Sequence, residues 1–327
     1  MADIFKKWCV WGHPLHSHTH SYIHNGFYRA IRYMGYECDW LQNSPTVLEI
    51  APNTVFITEG QVDTHIPLRP DCFYLLHNCN KEKYLAAGIP ESNILRMLVL
   101  TERTSKEGQP VLGKTWNRYF GDEISPTIHD FETRSIFIRW ATDLLPPEVD
   151  YMMQNLEAIA RKKKTGLYFV GFYCGIQQEY GKFLEQYGIP YIPVGGFSDA
   201  NVSIEENVSR IQSSLFAPAI VHDHQQATGY VACRIFKNIS YGAFGVTNSQ
   251  AVVDFFGEHA DEYSLVFDLD LKKLTDKAFH RMMNRNFTSE RKLMGFIRDE
   301  HTYVNRVQAL IAGFLHHWQY LKEKGEL

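Results

Sequence analysis

The 327-residue sequence has no Cys-x-x-Cys pair, no signal-like leader, and little surplus of charge of either sign. No apolar run approaches the ~20 residues of a membrane-spanning helix. Each absence excludes something. The six cysteines stand apart at 9, 38, 72, 79, 174 and 233, mostly inside apolar runs such as "WCVW". That argues against a paired-cysteine zinc site and for buried thiols in a reducing compartment. The opening "MADIFKKWCVWG" carries no leader h-region, so a cytoplasmic protein is expected, and the sequons at Asn201, Asn207, Asn238 and Asn286 are expected to be ordinary residues. Lys and Arg number 33 against 37 Asp and Glu, a formal net charge of −4. Without a basic field, nucleic acid is not expected as a main partner. No internal repeat or low-complexity tract occurs, which sets aside solenoids and disordered tails.

What is present is apolar and aromatic: 45% hydrophobic residues, with 18 Tyr and 21 Phe. The length suits two ordinary domains. "KWCVWG" (7–12) is predicted as a buried strand, "HNGFYRAIRYMGYE" as a helix ended by Gly35, and "CDWL" as the next strand, a parallel βαβ opening. "TVFITEG" (54–60) and "CFYLLHN" (72–78) read as further buried strands with polar carboxyl ends, where open α/β sheets bind ligands. "RSIFIRWATDLLP" closes this half, Pro146 and Pro147 break the chain, and 148–164 forms a linker helix. A second α/β unit begins at "GLYFVGFY" and runs through "PYIPVGG", "LFAPAIV" and "EYSLVFDLDL". The expected division is therefore 1–147, a linker at 148–164, 165–287, and a long closing helical stretch from 288 to 327. The D-x-D of "FDLDL" reads as a strand edge and turn.

The densest polar pattern is "GYVACRIFKNISYGAFGVTNS", from Gly229 to Ser249. "ACRIFKNISYG" is predicted as a helix, with Ile235, Ile239 and Gly242 on one side, and "FGVTNS" as the following strand. A helix N-terminus suits a diphosphate. Arg234 and Lys237, one turn apart, are expected to reach that anion together. Asn238 and Ser240 are expected to bond ribose or sugar hydroxyls, and Gly242 to permit close packing on the sheet. His222 and Tyr230 in "VHDHQQATGY" are placed to touch a nucleotide. Gly195 and Gly196 allow a base or ribose to approach the backbone.

The stretch "RIFKNISYGAFGVTNSQAVVDFF" resembles the donor-binding segment of GT-B glycosyltransferases, where the pattern is roughly R-x-F-E-A-x-x-x-G followed by a strand. "DEHTYVNRVQALI" (299–311) is similar to the closing helix of the CgeB-like group, typically H-T-Y-x-x-R. "LYFVGFY" resembles the first strand and loop of the C-terminal Rossmann-like domain. The resemblance covers the chain from 166 onward; the first half matches in layout. It implies an α/β fold of the GT-B type, with two Rossmann-like βαβ domains facing a cleft and a C-terminal helix packing back. It also implies hexosyl or deoxyhexosyl transfer from a nucleotide sugar, UDP- or GDP-linked, to a hydroxyl of a glycan or small-molecule acceptor. Neither a metal nor another cofactor is implied. Many retaining members carry a glutamate five residues before the helix glycine and a second eight residues earlier. Here those positions hold Lys237 and Gly229, which leans toward inversion and also allows a domain that binds a sugar nucleotide without turnover.

"HPLHSHTHSYIH" (13–24) holds five of the chain's fifteen histidines. Inverting transfer needs a base for the acceptor hydroxyl, and a histidine in the loop after the first strand suits it. His16, His18 and His20 are the candidates, with Glu59 and Asp63 in "TEGQVD" as acidic alternatives. A competing reading is metal chemistry. "HSHTHSYIHNG" also resembles the opening of PHP-type phosphoesterases, D-x-H-x-H-T, and "GGFSDAN" echoes their G-S-D-A-H. Asn25 and Asn201 stand where two of the ligands belong, and that family folds as a barrel.

Overall fold

The computed structural model describes residues 5–13, 19–46, 49–99, 127–130, 134–171, 175–194, 202–227 and 229–327. The chain divides into two compact units. Unit 1 is built on β1 (Lys7–Trp11), α1 (Thr19–Tyr33), β2 (Glu37–Leu41), β3 (Val55–Glu59), β4 (Phe73–His77), α2 (Lys81–Ala86), β5 (Ile94–Val99), β6 (Thr127–Asp130) and β7 (Ser135–Ile138). The strands form one seven-stranded sheet in the order β2-β1-β3-β4-β5-β7-β6. All pairings are parallel except that of β6 with β7. β3 and β4 are buried along their whole length, so they read as unbroken apolar runs, as central parallel strands do. β2 and β6 end the sheet, which is open. The barrel of a PHP-type phosphoesterase is therefore not the fold of this chain.

Unit 2, Trp140–Thr302, contains α3 (Pro146–Gln154), α4 (Leu156–Ala160), β8 (Leu167–Val170), α5 (Ile176–Glu185), β9 (Tyr191–Val194), α6 (Ile204–Ser213), β10 (Ala217–Ala219), α7 (Asp223–Ala227), α8 (Cys233–Ser240), β11 (Gly245–Thr247), α9 (Gln250–Phe256), β12 (Leu265–Phe267), α10 (Leu271–Met283) and α11 (Phe287–Glu300). Its strands pair in parallel as β8-β9 and β10-β11-β12. A bridge between Gly166 and Ser214 sets β8 beside the segment entering β10. Leu167, Tyr180, Phe216, Val246 and Leu274 fill one core; Ile235, Phe236, Phe256, Leu293 and Ile297 fill another.

Two boundaries differ from those read in the sequence. Pro146 and Pro147 do not separate the halves; they occupy the first turn of α3, where their missing N–H groups leave no helical bond unmade. α3 and α4 then pack inside unit 2 through Val149 and Leu156. The closing stretch is not one helix. α11 ends at Glu300, and His301 sits buried among Phe236, Phe255 and Phe296, with ring centroids 4.7–5.0 Å away. The last helix, α12 (Tyr303–Lys324), belongs to unit 1. There Phe314 and Trp318 pack on Phe5 and Phe73, and Arg306, fully buried, donates Nε–H to the Arg139 carbonyl at 2.7 Å. The H-T-Y-x-x-R motif thus marks the chain's return to unit 1. The D-x-D pair is structural: Asp268 pairs with Lys277 at 2.9 Å, and Asp270 caps α10. Among the described residues no helix is long and apolar enough to cross a membrane.

Candidate functional site

Unit 1 gathers titratable side chains at the carboxyl ends of β1, β3 and β4, which are neighbours in its sheet. β1 stops because Gly12 turns the chain at φ +88°, a conformation that favours glycine. A Cβ there would also lie 2.2 Å from Val62 Cγ2. His13 follows, and its ring Nε2 lies 3.0 Å from Glu59 Oε2, both side chains buried. Glu59 ends β3, and Oε2 also accepts the Gln61 N–H at 3.0 Å. His77 ends β4. Gly60 draws the two strand ends together by donating its N–H to the His77 carbonyl at 3.0 Å. A Cβ on Gly60 would strike the Asn78 carbonyl at 2.1 Å.

α1 adds His20 and His24, four residues apart and so on one face. It starts several residues earlier than its apolar spacing predicts, which is what brings His20 onto the helix with His24. Ring centroids lie 5.3 Å apart for His13 and His24, 5.7 Å for His13 and His20, and 5.5 Å for His20 and His77. Four imidazoles therefore gather about one carboxylate. Burial, helped by the neighbouring rings, pushes His24 down to about 3 and His77 down to about 4. Both are neutral near pH 7. Burial raises Glu59, but the His13 and Gln61 hydrogen bonds outweigh it and hold the carboxyl below its ordinary value. The group offers nitrogen lone pairs beside an ionised carboxylate, and so can accept a proton or hold a cation.

Of the acceptor-side residues read from the sequence, His20 and Glu59 meet in this nest. Asp63 turns to α2, where it accepts the Tyr84 hydroxyl at 2.9 Å and pairs with Lys83 at 3.5 Å. His16 and His18 lie outside the described residues. The reading by candidates missed His77. Its signal was the polar end of "CFYLLHN", which a search confined to the histidine-rich loop passes over.

In unit 2 the donor-side candidates divide. Arg234, in the first turn of α8, donates Nε–H to the Val170 carbonyl at 2.7 Å, and its guanidinium lies 3.8 Å over the Phe169 ring. Gly171, at φ +141°, leaves room for it: a Cβ there would sit 2.3 Å from Nη2. Burial lowers the proton affinity of Arg234, while nearby Cys233, Tyr191 and Tyr230 act against that. Burial raises the Tyr230 phenol above its ordinary value, and Arg234 opposes this. His222, just after β10, lies against Gly175 at the N-cap of α5, where a Cβ would come 2.3 Å from its Cε1. Arg234 and His222 thus border the two glycines that bracket the β8–α5 connection.

The other donor-side candidates are engaged within the unit, contrary to their expected reach toward a ligand. Lys237 pairs with Asp143 at 2.7 Å, and Tyr241 donates its hydroxyl to the same carboxylate at 2.6 Å. Asn238 donates to the Ala217 carbonyl at 2.9 Å. Ser240 meets Thr142 Oγ1 at 2.7 Å and is fully buried. Gly242, at φ +97°, lies where a Cβ would come 3.1 Å from Ile159. The physical reason is common to all four: they sit on the face or at the end of α8 that packs on β10, α3 and α4. Gly195 and Gly196 lie outside the described residues.

No protein-family model matches the sequence, and comparison with curated proteins gives no match. Among solved structures, the chain is similar to an alpha-glucosyltransferase in complex with UDP and a 13-mer DNA containing a central A:G mismatch. The TM-score is 0.53 at 11% identity, over 94% of this chain and 99% of that one. The fold is accordingly α/β of the GT-B type.

Proposed function

We propose that the protein is a glycosyltransferase that moves a sugar from a nucleotide-sugar donor to an acceptor hydroxyl. The observation that carries this reading is the placement of Arg234 against Gly171, after β8, and of His222 against Gly175, at the N-cap of α5. Two glycines let Arg234 and His222 lie close to the backbone, a helix N-terminus favours negative charge, and a half-buried guanidinium supplies a positive charge. That set suits a diphosphate, with Tyr230 beside it and no metal on the donor side. The GT-B fold supports the same assignment, and the UDP of the similar structure favours a uridine nucleotide. Lys237, Asn238 and Ser240 act behind the site by holding α8 in place.

The reaction is inverting in this reading, because the paired glutamates of retaining relatives are replaced by Lys237 and Gly229. The proton of the acceptor hydroxyl goes to the histidine nest, with His20 and Glu59 as the groups that receive or stabilise it. The near-balanced charge of the chain favours a glycan or a small molecule over nucleic acid as acceptor. Lys237, locked to Asp143 where relatives carry glutamate, also supports a second reading, sugar-nucleotide binding without turnover.

The test is a thermal-shift and calorimetric panel with UDP, GDP, dTDP, ADP and CMP, each with and without EDTA. A ligand at 100 times its Kd adds ~2.7 kcal/mol, worth roughly 2 °C or more in a chain of this size. One nucleotide is expected to stand out, indifferent to EDTA, and to bind at least ~10-fold more weakly to Arg234→Gln. No response to any nucleotide overturns the donor site. Tight binding without donor hydrolysis or transfer to any acceptor selects the second reading.

A further inference from the structure

We infer that the histidine nest of unit 1 is a binding site for one divalent transition metal, zinc in its chemical preference, with His13, His20 and Glu59 as ligands. The nitrogen and carboxylate ligand atoms of these three residues lie within 4.8 Å of one another. Two imidazoles and one carboxylate form the donor set of a three-ligand zinc centre, and this number leaves a coordination position open. The set is already oriented. Glu59 is fixed from behind by the Gln61 N–H, and His13 is turned toward it by the left-handed Gly12–His13 corner. His20 closes the set from the first turn of α1 and is half-buried.

The surroundings fit a cation rather than a plain ion pair. His24 and His77 add two further buried imidazoles within 5.5 Å, ring to ring, of the ligand histidines. The His24 Nδ1 atom is buried with no hydrogen-bond partner among the described residues, and a water bound to a nearby cation would supply one.

This inference deepens the acceptor side of the proposed transfer but does not stand or fall with it. A hydroxyl bound at the open position would lose its proton more readily, and His20 and Glu59 would then act as ligands of the ion and not as the proton acceptors. Metal binding itself is a property of unit 1 alone.

The experiment uses the full chain without a histidine tag, stripped with chelator and dialysed. Cobalt(II) is titrated as a visible-absorption probe, zinc is titrated by competition, and metal content is read by mass spectrometry. One equivalent per chain is expected, with the d–d bands of a low-coordinate site. His20→Ala and Glu59→Gln should each weaken binding at least ~10-fold, while circular dichroism of the metal-free variants matches the parent. His16→Ala/His18→Ala should leave affinity unchanged. No stoichiometric binding at micromolar metal overturns the inference, as does binding that survives His20→Ala and Glu59→Gln. Loss of binding in the His16/His18 variant alone would assign the ion to other ligands and overturn this set. Nucleotide binding by Arg234, measured on the same metal-free chain, reports separately on the transferase reading.

Discussion

At the carboxyl ends of β1, β3 and β4, unit 1 holds His13, Glu59 and His77 against one another. At the carboxyl ends of β10 and β11, unit 2 holds Asn248 against the backbone: its amide accepts the Val221 N–H at 2.9 Å and donates to the Val221 carbonyl at 3.0 Å. Thr247 likewise donates to the Ala219 carbonyl at 3.1 Å. The topological position is the same, yet the polar groups go to different partners. Where side chains satisfy the main chain, as Asn248 and Thr247 do, they hold neighbouring strand ends together. Where side chains face each other, their protonation and coordination are set by mutual contact. The difference teaches that strand-end position alone does not identify a site; the partners of each polar atom do.

The largest expected effect falls in unit 2. Asp143 is fully buried, and its carboxylate meets Lys237 and Tyr241. Lys237→Met leaves that charge without its cation, so a loss of about 3–5 kcal/mol is expected. Hydrogen exchange should place the lost protection in unit 2 and not in unit 1, and Asp143→Asn added to Lys237→Met should recover part of it. A stable Lys237→Met that has lost nucleotide binding would reverse the comparison and return Lys237 to the ligand.

A smaller effect tests the corner that orients unit 1. Gly12→Ala must hold φ near +88° and displace Val62, at a cost of about 1–3 kcal/mol. Exchange protection should fall around β1 and β3, and the His13 ring resonances should shift as the Glu59 contact loosens. Unchanged protection and resonances would mean the corner does not set the nest.

The smallest effect lies away from both strand-end groups. Burial, then the charges of Arg285 and Lys162, pulls Lys164 down from 10.5 to about 8. Between about pH 8 and 10.5 the unfolded chain then binds the extra proton, so stability should rise with pH across that window. Below pH 8 both states are protonated and the penalty is fully present. Urea midpoints of the parent against Lys164→Met should converge as pH rises through the window; parallel curves would show that Lys164 is not strained.

The sequence made most of the strands readable because their burial is continuous: "TVFITEG" and "CFYLLHN" became β3 and β4. Residues 94–99 and 127–130, by contrast, escaped notice, since β5 carries a mid-strand arginine and β6 is a short edge strand with a single apolar residue, Ile128. Helix ends were less legible. α1 begins within the histidine run, where Ser21, Ile23 and His24 are already buried although the apolar spacing has faded. In the candidate sites, the recognisable motif turned out to be largely architectural. Lys237, Asn238, Ser240 and Gly242 follow a known spacing, and that spacing serves the packing of α8. Arg234 differs from these four: its guanidinium turns to the carbonyl of Val170 and the ring of Phe169 beside Gly171. His77 was not legible, because a single polar residue after an apolar run has no spacing to betray which other strand end it will meet.

The return of α12 to unit 1 sets the order in which the molecule can be completed during synthesis. A ribosome releases the chain from its first residue onward. Unit 2, uninterrupted in its core from Trp140 to Thr302, has all of that core available before Tyr303 emerges. Unit 1, though begun first, waits for Phe314 and Trp318 to cover Phe5 and Phe73. The half that carries the histidine nest is therefore sealed only after unit 2 has left the ribosome, and residues 303–327 are its lock.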